Sequence, residues 1–137
     1  MSEPIEITRG VVHSWYCDNF GHMNVRWYGH FFDDAAYHLW PLYWGSLKKM
    51  EDEFGVHTVT ASAKTQFLHE LVAGDLFIVD SLLTRVGRKS VAFTERMLHV
   101  DTKEVHATYE TVEVFFDPQT RKSIEMPVAI RQALEKK

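Results

Sequence analysis

Asp18, His22 and Asn24 fall within seven residues of one another, at the start of the stretch YCDNFGHMNVRWYGHFFDDAAYHL that runs from Tyr16 to Leu39. The stretch reads as an acidic loop, a tight Gly21-His22 turn and then an amphipathic helix opening near Val25. A carboxylate at the mouth of a helix can do chemistry when the fold keeps water scarce around it. The same carboxylate also has a plain structural use, because the positive end of the helix macrodipole favours a negative charge. Asn24 suits an N-cap, since its side chain can accept a free N–H of the first turn. The loop alone leaves both readings of Asp18 open.

Other candidates are weaker. His22, His30 and His38 recur in steps of eight. Such steps drift around a helix and no carboxylate-rich loop accompanies them, so they do not form a metal set. Asp33 and Asp34 adjoin and cannot face one way, while Asp34 has the spacing for an i, i+4 pair with His30 or His38. Arg88 and Lys89 read as a polar hairpin tip. The four Trp residues (Trp15, Trp27, Trp40 and Trp44) all fall in the first third of the chain. They suit a core or an interface, or, with Tyr16, Tyr28 and Tyr43, the walls of a pocket for an aryl group or, by cation–π attraction, a quaternary ammonium.

The elements that must position these residues follow from periodicity. Ile5 to Trp15 is an expected first strand, interrupted near Gly10. Tyr28, Phe31, Phe32, Ala35, Leu39 and Leu42 recur at helical spacing and give one apolar stripe. Pro41 ends or kinks that helix near Trp40, and a second helical piece is expected from Leu42 to about Phe54, closed by Gly55. Val59, Ala61, Ala63, Thr65 and Phe67 alternate as a half-buried strand. Further strands are expected over Leu76–Arg85, Ser90–Val100 and Glu104–Phe116, the first two joined by the hairpin RVGRKS. Met126–Lys137 is expected as a terminal helix with Pro127 in its first turn. A curved antiparallel sheet wrapping one long helix, an α+β layer solution, accommodates this order. An edge strand left bare by that arrangement would be covered by self-association.

The chain has 137 residues, 45% hydrophobic and 25% charged, which fits a single globular domain over residues 1–137 with one real core. Its net charge of −4 argues against nucleic acid as the main partner. One cysteine, Cys17, forms no intrachain disulfide and points to a reducing, cytoplasmic setting. No apolar run is long enough to span a membrane, and the polar start MSEPIEITRG lacks signal-peptide character.

Taken together, DNFGHMN followed by Tyr28 and FFDDA, Gly74-Asp75 before an apolar strand, and Gly87-Arg88-Lys89-Ser90 resemble the hot-dog acyl-CoA thioesterases of the 4-hydroxybenzoyl-CoA thioesterase-like family. The resemblance runs over roughly Ile7 to Phe116. It implies a hot-dog fold, a homodimer or homotetramer, an acyl-CoA substrate, and no metal or cofactor. It places the catalytic carboxylate at Asp18, acting on a thioester as nucleophile or as general base for water. Backbone N–H groups near Val25 would be the oxyanion donors, with Gly21, His22 and Asn24 shaping the turn and cap. Arg88, Lys89 and Ser90 would meet coenzyme A, and Trp15, Tyr16, Trp27 and Tyr28 would wall the acyl pocket. Two positions depart from the pattern: Tyr16 stands where many relatives carry an acid, and His69-Glu70 where many carry Arg-Pro. Rival readings on the same fold are a hydratase or dehydratase using His22 with Asp18, and a non-catalytic acyl-CoA-binding protein.

Overall fold

In a computed structural model, which describes residues 3–136, strand β1 (Ile5–Val11) leads through a 3-10 turn (Ser14–Tyr16) to helix α1 (Val25–Tyr37). Two short helices follow, α2 (Pro41–Trp44) and α3 (Leu47–Phe54). The chain then builds β2 (His57–Phe67), β3 (Leu76–Val86), β4 (Ser90–His99) and β5 (Val105–Asp117). A two-residue strand β6 (Lys122–Ser123) and helix α4 (Val128–Lys136) complete it. The strands pair antiparallel in the order β1-β3-β4-β5-β2, with β6 beside β5. This is a curled, half-barrel sheet wrapped on one helix, the α+β hot-dog architecture. Among the described residues no helix is long and apolar enough to cross a membrane.

Helix α1 starts where its cap dictates. Asn24 keeps extended backbone angles and its side-chain oxygen accepts the Arg26 N–H at 3.1 Å. Tyr28, Phe32 and Ala35 form the buried stripe and, with Met23 and Leu71, pack on Phe77, Val79, Met97 and Ala107 of the sheet. A second core lies toward the other end of the sheet. There Leu39, Trp40, Met50 and Val56 meet Phe93, Phe115 and, from α4, Ile130 and Leu134. Burying a side chain such as Phe32, fully enclosed here, contributes about 1.5–3 kcal/mol.

Several expectations change. β1 does not run to Trp15 and is not interrupted at Gly10: Gly10 pairs with Phe77 inside the strand, and the Phe77 ring occupies the space a Cβ would need. The irregularity sits instead between Glu6 and Thr8. The helical piece from Leu42 to Phe54 is two helices, because Gly45 takes a φ of 92° and Ser46 starts α3 as a fresh N-cap, accepting from the Lys49 N–H at 2.9 Å. The terminal helix falls where expected, although Lys137 lies outside the described residues.

β2 departs most from its sequence pattern. A bulge between Thr60 and Ser62 shifts the register, so the alternation Val59, Ala61, Ala63, Thr65, Phe67 does not share one face. Thr58 and Thr60 lie opposite Phe115 and Glu113 on the helix side, and beyond the bulge Ala63, Thr65 and Phe67 take over that side opposite Thr111, Tyr109 and Ala107. Most of the strand is exposed rather than half-buried, because β2 is an edge with no neighbour beyond it in one chain.

Candidate active site

The loop before α1 is closed by Asp18 itself. Its backbone N–H donates to the His22 carbonyl at 2.9 Å, and its carbonyl accepts the Gly21 N–H at 3.0 Å. Its Oδ1 accepts the Phe20 N–H at 2.9 Å and, more weakly, the His22 N–H at 3.4 Å. Gly21 takes a φ of 84°, the left-handed geometry this turn requires. Asn24 N–H to the Tyr16 carbonyl and Met23 N–H to the Leu71 carbonyl, both at 2.8 Å, clamp the loop to its flanks. Asp18 is therefore held by one carboxylate oxygen, while its Oδ2 makes no hydrogen bond among the described residues.

At the adjoining helix mouth, Asn24 Oδ1 takes the Arg26 N–H and the Asn24 carbonyl takes the Trp27 N–H. The Val25 N–H has no hydrogen-bond partner among the described residues, which is the orphan-donor arrangement of a helix start. Val25 and Tyr28 line an open concavity of about 310 Å³ together with His22, Phe67, His69 and Glu70. The His22 ring does not face Asp18 as a proton partner: its Nε2 lies 3.0 Å from Glu70 Oε2. Glu70, one of the two residues that stand in place of Arg-Pro, thus holds the imidazole. Burial pushes the Tyr28 hydroxyl up.

The aromatic residues near the loop form a packed series. Trp15 stacks on His13 at 4.2 Å, and Tyr16 lies 4.4 Å from Trp27 and 5.2 Å from Phe31. Trp15 is 68% exposed. Trp15, Tyr16 and Trp27 thus lie outside the Val25 concavity, whereas Tyr28 belongs to it and meets Phe67 edge-to-face at 5.1 Å. The Arg88–Ser90 tip is elsewhere. Arg88 Nε reaches Glu125 at 3.2 Å, and the Ser90 hydroxyl accepts from Arg85 at 3.2 Å. Leu76, at one end of β3, pairs with Val11, the end of β1 that leads to the Asp18 loop, and Gly87 follows the other end of β3. Eleven residues of strand put about 33 Å between those ends, so one chain does not bring Asp18 and Arg88 together.

Another cavity, of about 140 Å³, opens between the C-terminal half of α1 and strands β2, β4 and β5. Glu95 projects toward it from β4, 2% exposed, and its Oε2 has no partner. Burial first, then the charges of Asp33 and Glu113, push the Glu95 carboxyl up to about 8. Glu113 is also pushed up by burial, against hydrogen bonds from Thr60 and Thr58. Glu95 was not among the residues expected at a site, although β4 alternates Val91, Phe93, Glu95, Met97, which puts a carboxylate in a core-facing slot. Among the described residues no group of three or more His, Cys, Asp or Glu is arranged to hold a metal ion.

The sequence matches the thioesterase-like superfamily over residues 11–134. No curated protein gives a significant sequence match. Among solved structures, a hypothetical protein of Staphylococcus aureus in complex with CoA superposes with a TM-score of 0.86 at 20% identity, over 99% of this chain and 85% of that one. A probable thioesterase of Escherichia coli, YbaW, gives 0.80 at 21% identity over 94% and 96% of the two chains. An aspartate-to-asparagine variant of 4-hydroxybenzoyl-CoA thioesterase, complexed with 4-hydroxybenzoyl-CoA, gives 0.82 at 15% identity over 96% and 99%. With the antiparallel half-barrel, the central helix and a family match across nearly the whole chain, this protein belongs to the thioesterase-like superfamily of hot-dog proteins.

Proposed function

We propose that the protein is an acyl-CoA thioesterase in which Asp18 is the catalytic carboxylate. The observation that carries this reading is the pairing of a half-tethered Asp18, Oδ2 free, with an open Val25 N–H at the adjoining helix start. In hydrolysis, a water attacks the thioester carbonyl while the carboxylate removes its proton, or the carboxylate attacks first and water releases the resulting anhydride. Either way negative charge grows on the carbonyl oxygen, and a preorganised N–H at a helix start stabilises it. The C–S bond then breaks, and the coenzyme A thiolate leaves and is protonated. Gly21, His22 and Asn24 hold the turn and cap in this scheme. The relative captured with its 4-hydroxybenzoyl-CoA as an aspartate-to-asparagine variant is in keeping with it. The His22 ring, engaged with Glu70, does not support the rival in which His22 and Asp18 form a hydratase pair.

Coenzyme A contacts from Arg88, Lys89 and Ser90 require a second copy. β2 is an open edge, and an isologous antiparallel pairing of two β2 strands inverts the second sheet. That inversion brings the second copy's Gly87–Ser90 hairpin to the same end as the first copy's Asp18 loop. A dimer, or a tetramer built from it, then assembles the carboxylate and the phosphate-binding cations in one cleft.

The test is thiol release from a panel of aliphatic, aryl and quaternary-ammonium coenzyme A esters by wild type and D18N. Turnover that falls about 10²- to 10⁴-fold in D18N, with the melting temperature unchanged, supports the reading. Hydrolysis that persists in D18N overturns the role of Asp18, and release from no ester overturns the activity.

A further inference from the structure

Buried carboxylates are costly unless a counter-charge or hydrogen bonds meet them. Around the 140 Å³ cavity three carboxylates converge, buried Glu95 from β4, half-buried Glu113 from β5 and exposed Asp33 from α1, and no Lys, Arg or His is among the lining residues. Glu113 has hydroxyl partners in Thr58 and Thr60. Glu95 Oε2 has none, and neither does the buried hydroxyl of Ser81, directly opposite Glu95 in the β3–β4 ladder. Four of the other lining residues are aromatic, Trp40, Phe93, Tyr37 and Tyr109, and the rest are small, aliphatic or hydroxyl side chains. Trp40 stands perpendicular to Phe93 at 5.8 Å, and Tyr109 stacks on Phe32 at 5.0 Å. Carboxyl groups without a cationic partner, aromatic side chains, and a volume close to that of cavities of roughly 150 Å³ that admit benzene specify a compact organic cation.

We propose that this cavity is the acyl-recognition site for an ammonium-bearing acyl group, whose cationic head is held by Glu95, Asp33 and Glu113 and by the faces of Trp40 and Tyr109. The proposal rests on the thioesterase reading above and names its substrate class. The cavity opens along β2 at Thr58 and Thr60, toward the start of that strand. In an edge-paired dimer the second copy's Asp18 loop lies at that same end, so a short acyl chain spans from the thioester to the carboxylates. Protonation is coupled to binding. At neutral pH the Glu95 carboxyl, raised to about 8 by burial and by Asp33 and Glu113, holds a proton in the free protein and releases it when a cation enters. Tyr37 and Tyr109 are the other titratable groups facing it, and Tyr109 is itself pushed up by burial.

The experiment compares an isosteric pair: the coenzyme A ester of trimethylammonioacetate and that of uncharged 3,3-dimethylbutanoate. A β-alanyl ester distinguishes a primary from a quaternary ammonium. Wild type is expected to favour a cationic ester at least tenfold in kcat/KM, and E95Q to bring that ratio close to one. Asp33→Asn, on the exposed face of α1, is expected to lower it severalfold with the fold undisturbed, which keeps the test decisive should E95Q fold poorly. A second measurement is independent of turnover: tetramethylammonium chloride is titrated against tryptophan fluorescence in wild type, D18N and E95Q. Saturable quenching in wild type and D18N, lost in E95Q, supports the cation site even if no ester is hydrolysed, an outcome that would remove only the thioesterase reading. Equal or faster hydrolysis of the uncharged ester, or quenching indifferent to E95Q and Asp33→Asn, overturns the inference and leaves the thioesterase reading intact.

Discussion

At the residue scale, the proposed function gives Asp18 two jobs, one for each oxygen. Oδ1 closes the turn through the Phe20 N–H, and Oδ2 is left for chemistry. Asparagine keeps an oxygen for the first job and loses the charge for the second, so D18N is expected to lose about 10²- to 10⁴-fold in turnover and to stay stable. Asp18→Ala loses both, with an added cost of about 1 kcal/mol in chemical denaturation. His22→Ala is expected to retain turnover within about tenfold, since its ring engages Glu70 and not Asp18; complete inactivity would restore the His22–Asp18 pair. Glu95 makes a pH prediction. Its carboxyl is raised from 4.5 to about 8 in the folded chain, so between those values the folded state binds more protons than the unfolded one. Stability contributed by neutral Glu95 is therefore fully present below about pH 4.5 and declines as pH rises toward 8, by up to roughly 1.4 kcal/mol per unit. Urea unfolding of wild type across that range should show the decline, and E95Q should flatten it.

At the scale of elements, α1 positions the site because its start is fixed by a cap and its stripe by the core. Asn24→Ala removes the acceptor of the Arg26 N–H and is expected to cost about 1 kcal/mol. It should also lower kcat more than it raises KM, because the Val25 N–H loses its fixed direction. The edge strand β2 behaves differently. Its bulge turns Thr58 and Thr60 toward the acidic cavity while leaving the outer edge free to pair. Ser62 is the central residue of β2, so a two-fold axis through the strand's middle sets two copies of position 62 opposite each other. Ser62→Lys would place like charges directly across that seam. Sedimentation velocity is expected to show wild type as a dimer or larger and S62K shifted to monomer, with KM for coenzyme A esters raised; an unchanged distribution would move the interface away from β2.

At the scale of the whole molecule, the sheet order fixes where each part of the proposed site lies. β1 and β2, consecutive strands in sequence, lie at opposite edges, and α1 crosses between them beneath β3, β4 and β5. The Asp18 loop and the Arg88–Ser90 hairpin sit at opposite ends of that sheet. Monomeric protein is therefore expected to bind coenzyme A weakly, which S62K also measures. The acidic, aromatic cavity lies midway, where the helix, the central strands and the open edge meet.

The sequence by itself determined what depends on neighbours along the chain. The Asn24 cap, the left-handed Gly21 turn, the hairpin at Gly87 and the Pro41 break are set by hydrogen bonds and dihedrals within a few residues, and the stripe from Tyr28 to Leu39 by the helical period. The bulge in β2 was not legible, because which side each residue faces depends on its register with β5. Nor was the role of Glu95. A carboxylate in an apolar slot of β4 costs little in an unpaired strand, and only the tertiary structure, by closing α1 over it and bringing Asp33 and Glu113 within reach, turned it into a buried carboxyl without a partner. Burial and long-range charge belong to the packed molecule, and the cation proposed for the cavity follows from those two quantities.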